Sequence, residues 1–182
     1  MECYKSERKI SSLELFHRTP MRTNLREVKS NSMSTAGKLN FHLFCALSLF
    51  SFGTAMMDYL LVYPSRAIVG EEEFVAYHAL LEAAIIPVSV MPFFIITIQN
   101  VFLFWSRPAN IERGLVVVSL CCLLLDWSSS IFVQIPMNLK LNEGKDIALI
   151  QKVIETNWGR VFLESLQALS VIIMMVKGGS KE

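Results

Sequence analysis

The chain has 182 residues, of which 53% are hydrophobic and 18% are charged, and its mean hydropathy is positive. This composition is typical of a membrane protein, and the net charge of +1 gives no sign of a nucleic-acid partner. The sequence contains no CxxC or Cys/His metal spacing, no nucleotide-binding glycine loop and no HExxH motif. We therefore predict no metal ligands, and the sequence leaves any other cofactor unknown.

Residues 1–38 are polar and contain eight of the seventeen lysines and arginines of the chain. They show no sustained apolar period, so we predict a disordered basic tail. Met33 stands directly before the first apolar segment, and it is an alternative start of translation.

Four apolar segments follow, each long enough to cross a bilayer as a helix. They run over about 41–63, 74–105, 114–133 and 158–176. Pro64 should end the first span, whereas Pro87 and Pro92 should kink the second and leave backbone carbonyls facing the bundle. Asp146 has the character of an N-cap, and it predicts a short amphipathic helix on the membrane surface before the last span.

The predicted fold is all-α, an antiparallel four-helix transmembrane bundle over residues 39–178 with a disordered N-terminal tail and a short interfacial helix. Its orientation follows from the basic residues, because the cytoplasmic loops of membrane proteins are enriched in lysine and arginine. The tail, the loop with Arg107 and Arg113, and the C-terminus hold twelve of the seventeen basic residues. The sequence therefore predicts an integral membrane protein with both termini in the cytoplasm.

Each apolar segment contains or adjoins one carboxylate, and the four are Asp58, Glu82, Asp126 and Glu164. If the segments run up and down through the bilayer, each acid falls roughly 8–12 Å below the outer end of its helix. An ionised group in lipid is costly, so acids placed there are usually functional. This layer predicts a polar, carboxylate-rich pocket toward the outer side of the membrane.

Other polar residues share a helix face with these acids. Asn157, Arg160 and Glu164 lie on one face of the last span, and His78 and Glu82 are four residues apart. Four acids then face one arginine, so either some acids carry a proton or a cation binds. We favour a proton-sharing cluster over a carboxylate-bridged metal site. The alternative is structural, with these groups serving only as interhelical contacts.

A series of motifs extends from residue 53 onward. It comprises VYP at 62–64, Gly70, FVAYH at 74–78, Pro92, DWSSS at 126–130, QIPMNLKLNEGKD at 134–146 and LIQKVIETNWGR at 149–160. Together these motifs resemble a family of uncharacterised four-helix integral membrane proteins. They are more distantly similar to the group of domains of unknown function that contains fungal anthrone oxygenases, which shares an Asn-Trp-x-Arg motif at the start of the last helix.

The resemblance implies a small integral membrane protein whose loop motifs shape a pocket on the outer side. The motif positions that would contribute are Tyr63, Pro64, His78, Gln134, Pro136, Asn157, Trp158 and Arg160. The chain departs from the family pattern at Leu81 and Asn138, where histidines are expected, and at Ile95 and Ile96, where a glutamate is expected. These departures remove groups that metal or acid–base chemistry would use, so the resemblance leaves enzymatic activity undecided.

The sequence leaves three functions open. In the first, the protein binds or transforms a hydrophobic, aromatic or quinone-like small molecule, with Arg160 on an anionic oxygen and Trp158 stacked on a ring. The second is a proton-coupled transporter or relay component, and the third is a structural accessory subunit. The catalytic candidates are His78, Glu82, Asp126 and Glu164, and the ligand-binding candidates are Asp58, Tyr63, Gln134, Asn157, Trp158 and Arg160. The expected partners are the lipid bilayer, a hydrophobic small molecule and further copies of the chain.

Overall fold

A computed structural model describes residues 34–179 and contains four long helices in this range. They are α1 (Thr35–Ile68), α2 (Glu71–Ser106), α3 (Arg113–Leu141) and α4 (Ile147–Gly179). Each is long and apolar enough to cross a bilayer, and no strand occurs within residues 34–179. The prediction of an all-α four-helix bundle is confirmed, and we treat the chain as an integral membrane protein.

The outside of this bundle is apolar, whereas its interior contains polar side chains. Phe102 and Phe132 are 61% and 78% exposed, although both are large and apolar. Asn100, Ser119 and Gln167 are buried between the helices. This distribution suits a lipid solvent, because apolar surface costs nothing there and polar groups must find partners inside the protein.

Helices α3 and α4 pack against each other in opposite chain order. The contacting side chains follow rising numbers along α3 and falling numbers along α4. The pairs are Glu112, directly before α3, with Lys177, then Ser119–Gln167, Asp126–Arg160 and Gln134–Thr156. The end of the bundle where α1 begins is closed by an apolar cluster. Its fully buried members are Phe44, Ile96, Val171 and Met174.

Three π-helical turns interrupt the α-helical hydrogen bonding of the described residues. They span Asp58–Val62, Ile86–Val90 and Ser130–Gln134. The N–H groups that close them belong to Tyr63, Met91 and Ile135, which donate to the carbonyls of Asp58, Ile86 and Ser130. In each case the next residue is a proline, at positions 64, 92 and 136. A proline ring clashes with the carbonyl four residues before it in a regular α-helix, and one wider turn relieves this clash.

The first and third spans are therefore longer than the sequence predicted. Pro64 was expected to end the first span, but α1 continues to Ile68. The third was expected to end at residue 133, but α3 passes its proline and reaches Leu141. The predicted second span, 74–105, differs from α2 by three residues or fewer at each end.

The predicted interfacial helix and the last span are one continuous helix rather than two. Asp146 does cap its start, because its Oδ1 accepts a hydrogen bond from the Leu149 N–H at 3.0 Å. Its apolar face does not lie on the membrane surface as expected, since Ile150 and Val153 are 1% exposed and belong to a cluster with Phe74 and Leu141. Packing against protein stabilises this segment as the first turns of α4.

The N-terminal tail was predicted over residues 1–38. Residues 1–33 lie outside the described part of the chain, as does the alternative start at Met33. Residues 35–38 are already helical, because the Ser34 side chain accepts a hydrogen bond from the Gly37 N–H at 3.1 Å and caps α1.

Candidate functional site

A cavity of about 200 Å³ lies among all four helices, between the apolar cluster and the ends of α1 and α3, and Phe93 belongs to both the cluster and the cavity wall. All three π-helical turns contribute residues to its wall. The charged and polar lining consists of Ser51, Thr54, Asp58, Tyr63, Arg66, Glu82, Ser89, Ser130, Gln134, Asn138, Arg160 and Glu164. The apolar lining consists of Ala55, Ile85, Val90, Phe93, Trp127, Ile135 and Leu139.

Arg160 joins two carboxylates at one side of this cavity. Its Nε donates to Asp126 Oδ1 at 2.9 Å, and its second guanidinium branch lies 3.8 Å from Glu164 Oε1. Glu164 also accepts a hydrogen bond from Ser51 Oγ at 3.2 Å. Asp126 is 1% exposed, and its Oδ2 has no hydrogen-bond partner within the described structure. Two acids therefore share one arginine, which favours a proton or a cationic group close by.

Arg66 is a second buried guanidinium at the cavity and is only 1% exposed. One of its terminal nitrogens donates to Asn138 Oδ1 at 2.5 Å, and its guanidinium carbon lies 4.8 Å from the centre of the Tyr63 ring. Among residues 34–179, its Nε has no hydrogen-bond partner, and no carboxylate lies within 4.0 Å of its guanidinium. Burying an arginine without a carboxylate partner is costly, so this residue is poised to bind an external acceptor.

Asp58 faces the same cavity from the π-helical turn of α1. Its carboxylate makes no hydrogen bond or ion pair with any described residue, although Arg66 and Arg160 are both near enough to influence it electrostatically. The cavity wall thus contains an unpaired acid and an unpaired base at the same time.

His78 is fully buried behind the wall and contacts two residues that line it. Its Nε2 donates to the Asn138 carbonyl at 3.1 Å and lies 3.6 Å from Glu82 Oε1. Its ring stacks on Phe74, with ring centres 5.7 Å apart. Asn138 in turn donates through Nδ2 to the Gln134 carbonyl at 2.8 Å. Asn138 therefore fixes the positions of both Arg66 and His78.

Between the cavity and the end of the bundle where α1 begins, a short ladder of buried polar side chains connects the four helices. It consists of Ser48, Asn100, Ser119 and Gln167. Gln167 Nε2 donates to Ser48 Oγ at 3.0 Å and lies 3.4 Å from Ser119 Oγ. The side-chain amide of Asn100 lies 2.7 Å from Ser119 Oγ, and with its oxygen toward Ser119 it also accepts from the Leu120 N–H at 3.1 Å. The ladder ends at the apolar cluster, so it joins helices without crossing the bundle.

The structure brings most of the predicted site residues together. Of the ten, six line the cavity: Asp58, Tyr63, Glu82, Gln134, Arg160 and Glu164. Asp126 and His78 contact lining residues from behind. Asn157 is 2% exposed and Trp158 is 59% exposed, and neither lines the cavity. Trp158 instead contacts Phe162 on the outside of α4, edge to face.

Sequence reasoning missed Arg66 and treated Asn138 only as a departure from a family pattern. Both residues lay outside the predicted spans, because the first was expected to end at Pro64 and the third at residue 133. In both places a helix passes its proline by forming a π-helical turn just before the Tyr63-Pro64 or Ile135-Pro136 pair. A proline inside a long apolar segment can therefore indicate such a turn rather than a helix end. Trp127 does line the cavity, 5.3 Å from the Phe93 ring.

The fold and this site define a four-helix integral membrane protein with a charged cavity between its spans. Comparisons with protein-family models, with curated proteins and with solved structures find no match to this chain. The functional interpretation therefore depends on the geometry of the cavity.

Proposed function

We propose that this protein binds the polar end of a membrane-soluble small molecule in the cavity between its four helices. The observation that carries the proposal is the unpaired state of Asp58 and Arg66, which both face the cavity. Charges inside a membrane protein are costly and usually functional, and unpaired ones most of all. A bound polar group would supply the missing partners.

The size of the cavity supports a ligand that is only partly enclosed. A volume of about 200 Å³ corresponds to about seven water molecules at ~30 Å³ each. Sites that enclose a whole drug-sized ligand usually measure about 300–1,000 Å³. The cavity therefore suits a polar head group or one small ring, with the remaining apolar part of the ligand in the surrounding lipid.

The apolar part of the lining supports contact with a hydrophobic or aromatic group. The rings of Phe93 and Trp127 lie 5.3 Å apart at an angle of 56°. The Trp127 Nε1–H donates to Thr97 Oγ1 at 3.1 Å, which fixes the orientation of this indole. Trp127 therefore takes the stacking role that the sequence had offered to Trp158.

The alternative of a proton-coupled transporter is less well supported. Such a protein needs a polar path through the membrane, but the buried cluster members Phe44, Leu103 and Val171 lie between the polar ladder and the end of the bundle where α1 begins. A purely structural role accounts for the ladder of Ser48, Ser119 and Gln167, whose hydrogen bonds are satisfied. It does not account for the unpaired groups at the cavity.

The topology that we propose places both termini in the cytoplasm, which puts the cavity toward the outer face. Arg107, Arg113 at the start of α3 and Lys177 near the end of α4 lie on the side opposite the cavity, as the positive-inside rule favours. A protease-cleavable tag after residue 182 should be cut in inside-out vesicles and protected in right-side-out ones.

Membership of the four-helix family with the YP, YH, QIP and NW-x-R motifs is also a proposal. In its support, Tyr63, Gln134 and Arg160 from three of these motifs line one cavity. The fourth contributes His78, which contacts the cavity residue Asn138. If the family acts on its ligand, the acids beside Arg160 are placed to exchange protons with a bound molecule.

The experiment that tests the proposed function is native mass spectrometry of the protein extracted in mild detergent, with two matched variants. Ala55→Phe fills the cavity, since Ala55 lines it and is buried. Met57→Phe adds an aromatic ring to the same helix at an exposed position and serves as the control. The proposal predicts a co-purifying organic molecule that survives Met57→Phe and is lost in Ala55→Phe. An equal complement of bound molecules in all three proteins would contradict it.

A further inference from the structure

The unpaired groups of the cavity indicate what kind of polar head it binds. Asp126 and Glu164 have Arg160 within 4.0 Å, whereas Asp58 and Arg66 have no ion pair at that distance among residues 34–179 and affect each other only at longer range. A purely anionic head would satisfy Arg66 but would add charge to a wall with more acids than bases. A purely cationic head would satisfy Asp58 but would leave Arg66 buried and unpaired.

We propose that the cavity binds a zwitterionic head group, with its phosphate on Arg66 and its primary ammonium on Asp58, as on an aminophospholipid. This inference rests on the proposed function and names its ligand class. A phosphoethanolamine head carries both charges on neighbouring groups and leaves the acyl chains free to remain in lipid. It therefore pairs both residues without changing the net charge of the cavity.

The residues around Arg66 fix its guanidinium in a position from which it can bind a phosphate. Asn138 and the Tyr63 ring fix its guanidinium from two sides, while its Nε–H is left without a partner. Arginine presents planar pairs of N–H groups that match two phosphate oxygens, and a guanidinium already fixed in place loses little entropy on binding.

Asp58 selects the other end of the head group. A primary ammonium has three N–H donors and can bond directly to this carboxylate, whereas a trimethylated ammonium has none and is bulkier. Glu82 also lines the cavity and is 37% exposed at its side chain, so it adds attraction for a cation. The site should therefore discriminate between ethanolamine and choline lipids that have the same phosphate.

The test is lipid retention by the full-length protein in detergent supplemented with equal amounts of phosphatidylethanolamine, phosphatidylcholine and phosphatidylglycerol of the same acyl chains. We expect native mass spectra to show about tenfold preference for phosphatidylethanolamine, the value of one charge-assisted hydrogen bond. Asp58→Asn should abolish this preference and should not lower the retention of phosphatidylglycerol, which has no ammonium to lose. The Asp58 carboxylate makes no hydrogen bond with a described residue, so this variant breaks no side-chain hydrogen bond of the protein.

Arg66→Gln should lower the retention of all three phospholipids, and Arg113→Gln, at the first residue of α3 and away from the cavity lining, should change none. Soluble phosphoethanolamine at millimolar concentration should not displace the lipid, because it lacks the acyl chains. Displacement would overturn the lipid assignment in favour of a soluble zwitterion.

Equal retention of the three lipids, or an unchanged preference in Asp58→Asn, would overturn the inference. A different molecule that is lost only in Ala55→Phe would do so while leaving the proposed function intact.

Discussion

Removal of the Asp126 carboxylate should destabilise the folded protein through its effect on Arg160. Asp126 is 1% exposed and its Oδ1 lies 2.9 Å from Arg160 Nε, so Asp126→Ala leaves a largely buried guanidinium without its closest partner. Breaking a buried ion pair typically costs about 3–5 kcal/mol. Because the Arg160 side chain is 19% exposed and keeps Glu164 at 3.8 Å, we expect the lower end, about 3 kcal/mol.

The assay is reversible unfolding in mixed micelles, followed by circular dichroism as sodium dodecyl sulfate is added. Asp126→Asn keeps an oxygen that can accept the Arg160 hydrogen bond, and it should cost less, about 1–2 kcal/mol. Arg160→Met and the double variant complete a thermodynamic cycle. Each single variant leaves one member of the pair buried without its partner, whereas the double variant removes both members. The coupling energy between Asp126 and Arg160 should therefore be about 2 kcal/mol.

The result that would refute this reasoning is additivity. If the free energies of unfolding lost in Asp126→Ala and Arg160→Met simply add in the double variant, the two side chains do not form a stabilising pair. A loss below ~1 kcal/mol in Asp126→Ala would have the same meaning, because it would show that Arg160 finds an equivalent partner or water.

Three further predictions concern packing, the polar ladder and the loop end. Phe44→Ala should cost about 3–5 kcal/mol in the same unfolding assay, because Phe44 is fully buried, whereas Phe50→Ala at the exposed face should cost little. Gln167→Ala should cost about 0.6–1.7 kcal/mol, the range for interhelical hydrogen bonds in membranes, and Gln151→Ala at the exposed face should be near neutral. The pKa of Glu112 lies below its ordinary value because the Lys177 ammonium hydrogen-bonds its carboxylate. The NMR titration of Glu112 should therefore be displaced to lower pH and should return to normal in Lys177→Met. Any stability from this pair is present above the ordinary carboxyl pKa and is lost as the pH falls through the lowered one.

The sequence predicted the spans well because length and apolar composition decide them. It also placed Asp58, Glu82, Asp126 and Glu164 in one region, since their distances from the helix ends are read directly from the chain. The helix ends were predicted less well at Pro64, where a local rule about proline was applied without the π-helical turn that accommodates it.

The partners of each charge could not be predicted, because they depend on helix rotation and on tertiary contacts. Nothing local shows that Asn138 reaches Arg66 across 72 positions of sequence, or that Ser51 meets Glu164 across 113. For the same reason Trp127 and Trp158 were equivalent in the sequence. Only the packing of α3 and α4 places the first in the cavity wall and the second on the outside.

The most direct test of the central claim is an experimental structure of the protein in nanodiscs made from its native lipids, at a resolution that shows head groups. The account predicts density for a bound polar head in the cavity, in contact with both Arg66 and Asp58, with an apolar extension passing between helices into the lipid. A cavity occupied by water alone, or a direct Arg66–Asp58 ion pair that closes it, would contradict the claim that this site binds a ligand.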